Sequence, residues 1–474
     1  MNFQDFYKPG EEMSFQKRID EENLANLNEQ IVKNDLRFMF HFSDLINELI
    51  NKPTTFTLIK LKDYIQKPEA QKCTNMIDEK VINVLLILAD PNNNDLNIRQ
   101  NSFFVIGEII RNFQNKMPIF LNLQLIPLIK RSLLVPNRFF VGSIYFVINC
   151  LIIESFDFRS SFYQNFKFNF LFQSAYKFLN DDHNDLIVEC FKSIVEYVGI
   201  NSEKKARKLV QIFQVALAKK LKPEKDISLM DMCSCNFALI GIIQLLKTQD
   251  IPAYVRKLVI EDSSIPMCLQ FFFKLNEFTS ETINATILAS QLYSLNVSNI
   301  PDILPQILKL FQLYSFDPNY HNIIYSLNNI IEFCNDHVFN HLIRDLKLLD
   351  VIINLIPRSN FQTKKEIYSC FSYIILRLPK SDFSIFISEE KISFLFDLIE
   401  MNDLDFINKV IADIYNIFIT AEEIGQNRNA NAVFISISAI PLIEDIFQKN
   451  IDQQSFAFLN YIYQKLVGKE QEFE

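Results

Sequence analysis

A strongly apolar helical segment returns along this chain about every 38 to 50 residues, with a mean near 44. The segments are Ile98 to Arg111, Ser143 to Glu154, Leu186 to Val198, Met232 to Leu246, Thr282 to Leu295, Asn322 to Phe333, Lys365 to Arg377, Ile407 to Thr420 and Ser455 to Val467. Most follow another apolar helix, those beginning near Val81, Pro127, Asn169, Pro266, Pro305, Asp350, Ser393 and Pro441. A fixed period turns a string of helices into an array, because each unit cannot bury its apolar face alone and must stack on its neighbours.

The period sets the class. It matches armadillo or HEAT units and not the 34 residues of tetratricopeptide units. An earlier pair, Leu36 to Leu49 and Thr55 to Tyr64, brings the total to about ten repeats. Breaks such as Asp90-Pro91-Asn92 and Asp317-Pro318-Asn319 supply helix stops and N-caps. No alternation of period two persists, and only 7 Gly argue against tight hairpins and Gly-rich phosphate loops. The expectation is an all-α, right-handed α-solenoid of about ten armadillo-type repeats over residues 36–468. A polar tail, 1–35, precedes it and a short one, 469–474, follows.

Composition narrows the function. A net charge of -9 opposes a non-specific nucleic-acid binder, which works by neutralising phosphates, and suits a basic ligand better. The eight Cys are scattered through apolar runs and read as reduced core thiols of an intracellular protein. No basic region leads into an apolar one after Met1, so no signal peptide is expected. The charge-free run Phe139 to Ile153 is short for a bilayer span and reads as a buried helix. Cys334, His337, His341 and Asp345 share one stretch but match no closed zinc pattern. No nucleophile elbow, phosphate loop or paired-carboxylate motif occurs, so neither an enzyme nor a cofactor is expected. The run Lys204-Lys205-Ala206-Arg207-Lys208 reads as the solvated face of a repeat helix or, alternatively, as a partner patch.

The stretch with most binding character is Tyr325-Ser326-Leu327-Asn328-Asn329. An aromatic and an amide four residues apart share one helix face, while Ile324, Leu327, Ile330 and Ile331 form the apolar stripe. Tyr145 and Asn149 repeat the pair, and Phe104 with Glu108 is a related one.

The C-terminal hundred residues resemble importin-α, an armadillo adaptor for basic nuclear-localisation peptides. The resemblance rests on Lys409 to Phe418, a charged and Asn-rich insertion at Ala421 to Asn431, then Ala439-Ile440-Pro441-Leu442 and Phe456 to Gly468. Residues 1–35 resemble the skeleton of that family's importin-β-binding helix at Phe6-Tyr7-Lys8, Lys17-Arg18-Ile19 and Val32-Lys33. By charge alone, residues 1–40 hold five basic against eight acidic side chains, a net of -3, where such a helix is densely basic. The resemblance implies a groove in which aromatic faces hold Lys and Arg stems and Asn amides clamp an extended backbone. In this numbering the implied peptide-binding residues are Tyr145, Asn149, Tyr325, Asn329, Phe104, Glu108, Phe191 and Asn416. The implied function is a nuclear-import adaptor of cytoplasm and nucleus, binding basic cargo peptides and passing them to importin-β. The alternative is an armadillo scaffold that has lost both contacts.

Overall fold

In the computed structural model the described residues are 33–473 apart from 94, 180–183, 219–228, 314–316, 400–402, part of 296–301 and all but a few positions between 248 and 278. Residues 1–32, which carry the resemblance to an importin-β-binding helix, lie outside them. The described residues contain helices and turns and no strand, as an all-α solenoid requires. The chain divides into two compact units, Met1–Val255 and Arg256–Glu474.

Unit 1 begins with a helix at 33–51 (α1). There follow α2 (Thr55–Ile65), α3 (Glu79–Ala89), α4 (Leu96–Asn112), α5 (Met117–Asn122), α6 (Leu125–Leu134) and α7 (Val141–Glu154). The unit continues with α8 (Phe156–Asn165), α9 (Phe168–Tyr176), α10 (Asn184–Ser193, extended by a π turn to Val198), α11 (Glu203–Ala218) and α12 (Leu229–Lys247). The second helices of successive repeats form one layer, α2 on α4, α4 on α7, α7 on α10 and α10 on α12. The first helices form the other, with α3 beside α6, α6 beside α9 and α9 beside α11.

Unit 2 holds α13 (Ser280–Ser294), α14 (Leu304–Leu313), α15 (Tyr320–Phe333), α16 (Asp336–Asn340), α17 (Leu348–Leu355) and α18 (Phe361–Arg377). It ends with α19 (Glu389–Ile399), α20 (Leu404–Glu423), α21 (Asn427–Ser436), α22 (Ala439–Phe447) and α23 (Gln453–Phe473). Its second-helix layer runs α13, α15, α18, α20, α23, each packed on the next.

The repeat begins with a short helix that turns sharply into the first long one, which makes it armadillo-like rather than a simple helix pair. Between α5 and α6 the axis bends 69°, and between α21 and α22 it bends 75°. Each bend turns on a left-handed residue, Gln124 (φ 71) and Ser438 (φ 56), and Lys347 (φ 50) takes the same place before α17. Left-handed backbone favours Gly; this Gly-poor chain places ordinary side chains there instead, at a cost in strain. Elsewhere the expected caps form. Asp95 accepts from the Asn97 and Ile98 amides, Asn360 from Thr363 and Asp403 from Phe406.

Neighbouring repeats are also tied by polar side chains about one repeat apart in sequence. Gln66 Nε2 donates to Glu108 at 2.7 Å, Asn328 Nδ2 to Ser369 Oγ at 2.5 Å, and the Tyr461 hydroxyl to Glu422 at 2.8 Å. The segment Ala421 to Asn431, expected as an insertion, runs from the end of α20 into the start of α21. Within it only Ala421, Ala430 and Asn431 are buried, and Glu423, Gly425 and Asn427 to Asn429 are exposed; beyond it Phe434 of α21 is buried between Phe396 (6.1 Å) and Phe418 (5.2 Å). Among the described residues no single helix is long and apolar enough to cross a membrane.

Candidate functional site

The aromatic and amide positions read from the sequence all fall on second-helix layers, but the two units treat them oppositely. In unit 1 they are mostly interior. Tyr145 is fully buried; its hydroxyl donates to the Leu171 carbonyl at 2.7 Å and lies 2.8 Å from Ser174 Oγ, and burial raises its pKa. Its ring stands 5.8 Å from that of Phe191, which is also fully buried. Asn149 is 0% exposed, beside a Glu189 carboxyl whose pKa burial raises and Lys192, Arg111 and Asn149 pull back. Glu108 is buried and accepts from Gln66 and, at 3.1 Å, from Asn112.

Tyr145, Asn149, Phe191 and Glu108 are therefore corrected from peptide-facing to interior positions. The physical reason is that α7 is apolar on every side, with each residue from Val141 to Ile152 buried, so periodicity cannot say which face is open. Phe146, one residue on, is buried as well. Gly107 makes room for it, since a Cβ there would stand 2.4 Å from the Phe146 ring.

On the second-helix layer of unit 1, the half-buried Phe104 and Phe237 and the buried Phe146 each have one of the chain's own cations nearby. Lys62 Nζ lies 6.0 Å from the Phe104 centroid, the Arg111 guanidinium 5.1 Å from Phe146, and Lys192 Nζ 5.9 Å from Phe237. Each cation comes from the preceding second helix or just beside it. The attraction available to a ligand's Lys or Arg is thus met internally.

In unit 2 the same register opens. Tyr325 is 60% exposed, and no cation of the described residues is placed over its ring. Asn329 is half-buried with Nδ2 3.4 Å from Ser290 Oγ, a long and weak bond that leaves most of the amide's capacity unused. On α18 the matching positions are Ser369 and Tyr373, both half-buried, with Leu376 exposed beyond them. Burial and then the Glu332 carboxylate raise the Tyr373 pKa. On α20, Ala412 is half-buried and Asn416 exposed, next to Tyr415, whose ring stacks on Phe458 at 4.1 Å. Exposed Glu332 and Asp405 add acidity to this face. Tyr415 was missed in the sequence because it has no Asn four residues later, whereas Tyr373 stands in the register at a position where an Asn is expected. Arg111 was missed as well, although it stands three residues after Glu108 and so on its face.

The Cys334, His337, His341, Asp345 stretch does not converge. Cys334 Sγ is 3.3 Å from Arg377, whose guanidinium also donates to the Ile331 and Cys334 carbonyls. His341 instead faces Asp345 at 2.8 Å and Asp302 at 3.5 Å, and His337 is exposed.

No protein-family model matches the chain, and no curated protein matches it either. Solved structures do. The crystal structure of an engineered protein superposes with a TM-score of 0.62 at 11% identity, covering 90% of this chain and 98% of that one. A chain of the SYS-1/POP-1 crystal complex gives a TM-score of 0.50 at 11% identity, covering 92% and 87%. At that identity the likeness is one of fold, that of helical-repeat, armadillo-like solenoids.

Proposed function

We propose that this chain is a non-enzymatic protein-interaction solenoid that holds an extended polypeptide segment on the second-helix face of unit 2. The observation that carries the reading is Tyr325, a large aromatic 60% exposed at a register position, with a weakly held amide, Asn329, one turn further on. An aromatic face beside an amide grips a side-chain stem and a backbone at once, whatever the sequence of the ligand. The SYS-1/POP-1 complex, in which a chain of this fold is bound to a partner, is compatible with such use.

The narrower form makes the ligand a basic nuclear-localisation peptide, the partner importin-β and the location cytoplasm and nucleus. Tyr325, Asn329 and Asn416 with Glu332 support a basic ligand at unit 2. The burial of Tyr145 and Asn149 and the filled aromatic faces of unit 1 favour a scaffold with one binding face over an adaptor with two. Calorimetry with a bipartite and a single-cluster basic peptide separates these forms. Salt-sensitive binding of both with similar affinity, weakened by Tyr325→Ala, is the expected result. A strong preference for the bipartite peptide would restore the two-site adaptor, and no binding of either at low salt would leave a scaffold with a ligand of other chemistry.

A further inference from the structure

The first-helix side of unit 1 carries a surface that the proposed function does not use. Two grooves flank α9. One, of about 460 Å³, lies toward α11 and is lined by Lys167, Phe168, Asn169, Phe170, Lys204 and Lys205. The other, of about 450 Å³, lies toward α6 and is lined by Leu134, Pro136, Phe170, Phe172, Tyr176 and Lys177. They share Phe170 and Gln173, so they form one strip, basic at one end and apolar at the other.

Neither lining contains an acidic side chain among the described residues, in a protein of net charge -9. Lys167, Lys177 and Lys204 are exposed, and no ion pair joins them to another described residue. Two further cations are fixed in place. Lys208 Nζ is 2.7 Å from Asn169 Oδ1 and 4.8 Å from the Phe172 ring; Lys205 Nζ stands 3.3 Å over the Tyr163 ring. Burial lowers the pKa of both ammoniums, so each gains more from an anion than a fully solvated lysine does. At the apolar end Leu134 is 68% and Tyr176 48% exposed.

We propose that the strip along α9 is a second docking groove, for an acidic polypeptide segment that also carries aliphatic or aromatic residues. Carboxylates would meet Lys167, Lys204 and Lys205, and the apolar side chains would cover Leu134, Phe172 and Tyr176. Charge complementarity selects this occupant: the cations are concentrated where neither groove lining holds an acidic side chain among the described residues, and the apolar end gives an anion-bearing segment something besides phosphate-like charge to bind. Its ligand is opposite in charge to that of the unit 2 face, so the two proposals stand or fall separately.

The test uses the full chain and a short fluorescent peptide alternating Asp or Glu with Leu or Phe. Saturable anisotropy is expected, weakening as salt rises. The pair Lys167→Glu with Lys204→Glu, and separately Leu134→Ser with Tyr176→Ser, should each weaken it roughly tenfold or more. These four side chains are exposed, so circular dichroism should stay unchanged. Tyr325→Ala should leave this affinity as it is. The proposal is overturned if the peptide fails to bind at low salt, if the lysine pair binds like the parent, or if Tyr325→Ala abolishes binding. It is also overturned if the same peptide with its acids replaced by Ser binds as well, or if anionic vesicles containing phosphatidylserine bind while the peptide does not.

Discussion

Unit 1 and unit 2 repeat one plan and end in opposite states on their second-helix faces. On α7 the register aromatic turns inward to bond Leu171 and Ser174, and the neighbouring rings of Phe104, Phe146 and Phe237 have Lys62, Arg111 and Lys192 beside them. On α15 the register aromatic stands in solvent and the amide beside it is half used. The difference teaches that a solenoid's binding capacity is decided by whether the layer satisfies its own polar and aromatic groups. Presence of those groups in the right order is insufficient.

The largest effect that would break this comparison is at Tyr145. If the residue is structural, Tyr145→Ala should lower stability by about 3–5 kcal/mol, the range for emptying a buried aromatic site. Basic-peptide affinity of the remaining folded protein should be unchanged. A stable variant that loses peptide binding would return Tyr145 to the ligand face.

Next comes the junction of α18 and α20, where unit 2 is as closed as unit 1. The Tyr368 hydroxyl donates to the buried Asp413 carboxylate at 2.5 Å. Tyr368→Phe should cost roughly 1–3 kcal/mol by leaving that carboxylate underserved, measurable in urea denaturation. Burial raises the folded pKa of Asp413, against which Tyr368, Ser372 and Lys409 act. The folded state therefore holds this proton more tightly than the unfolded state. The corresponding stability is present below the ordinary Asp range and lost as pH rises through the folded pKa. Melting temperature should shift in favour of Asp413→Asn, relative to the parent, between about pH 4 and 7. A constant gap would refute the burial penalty.

A smaller effect is expected at the left-handed junctions, which both units share. Lys347→Gly relieves about 1–2 kcal/mol of left-handed strain and restores about 0.5–1 kcal/mol of unfolded-state entropy cost. The net expectation is a stabilisation of up to about 1.5 kcal/mol in thermal melts. Gln124→Gly should behave alike in unit 1; a loss at either would mean that the side chain makes a contact outweighing its strain.

These particulars show where the sequence was readable. The repeat period and the helix order were legible because burying a face against a neighbour leaves a mark at fixed intervals. The sharp bends were hidden, since Gln124, Lys347 and Ser438 occupy positions that would have announced themselves as Gly. The direction of Tyr325 could be read because the apolar stripe of α15, Ile324, Leu327, Ile330 and Ile331, lies away from it, though Ser326 is buried with that stripe. That of Tyr145 could not, because α7 is buried from Val141 to Ile152 and offers no polar reference. Charge on the α9 strip was visible as Lys204 to Lys208, but its grooves required Lys167 and Phe170 to be brought alongside by the packing of α9 on α11.

The smallest expected effects sharpen the comparison most directly. Tyr325→Ala touches a mostly exposed ring and should change stability by no more than about 0.5 kcal/mol, while weakening peptide binding at unit 2. Lys62→Ala is its counterpart in unit 1, stripping the cation from Phe104. If internal cations are what close the unit 1 face, a ligand's Lys can then take the vacated ring. An exposed contact of this kind is worth about 0.5–1 kcal/mol, so a basic peptide confined to unit 1 by Tyr325→Ala should bind up to about fivefold more tightly once Lys62 is also removed. No gain in that double variant would mean that burial of Tyr145 and Asn149, and not the cation on Phe104, keeps unit 1 closed.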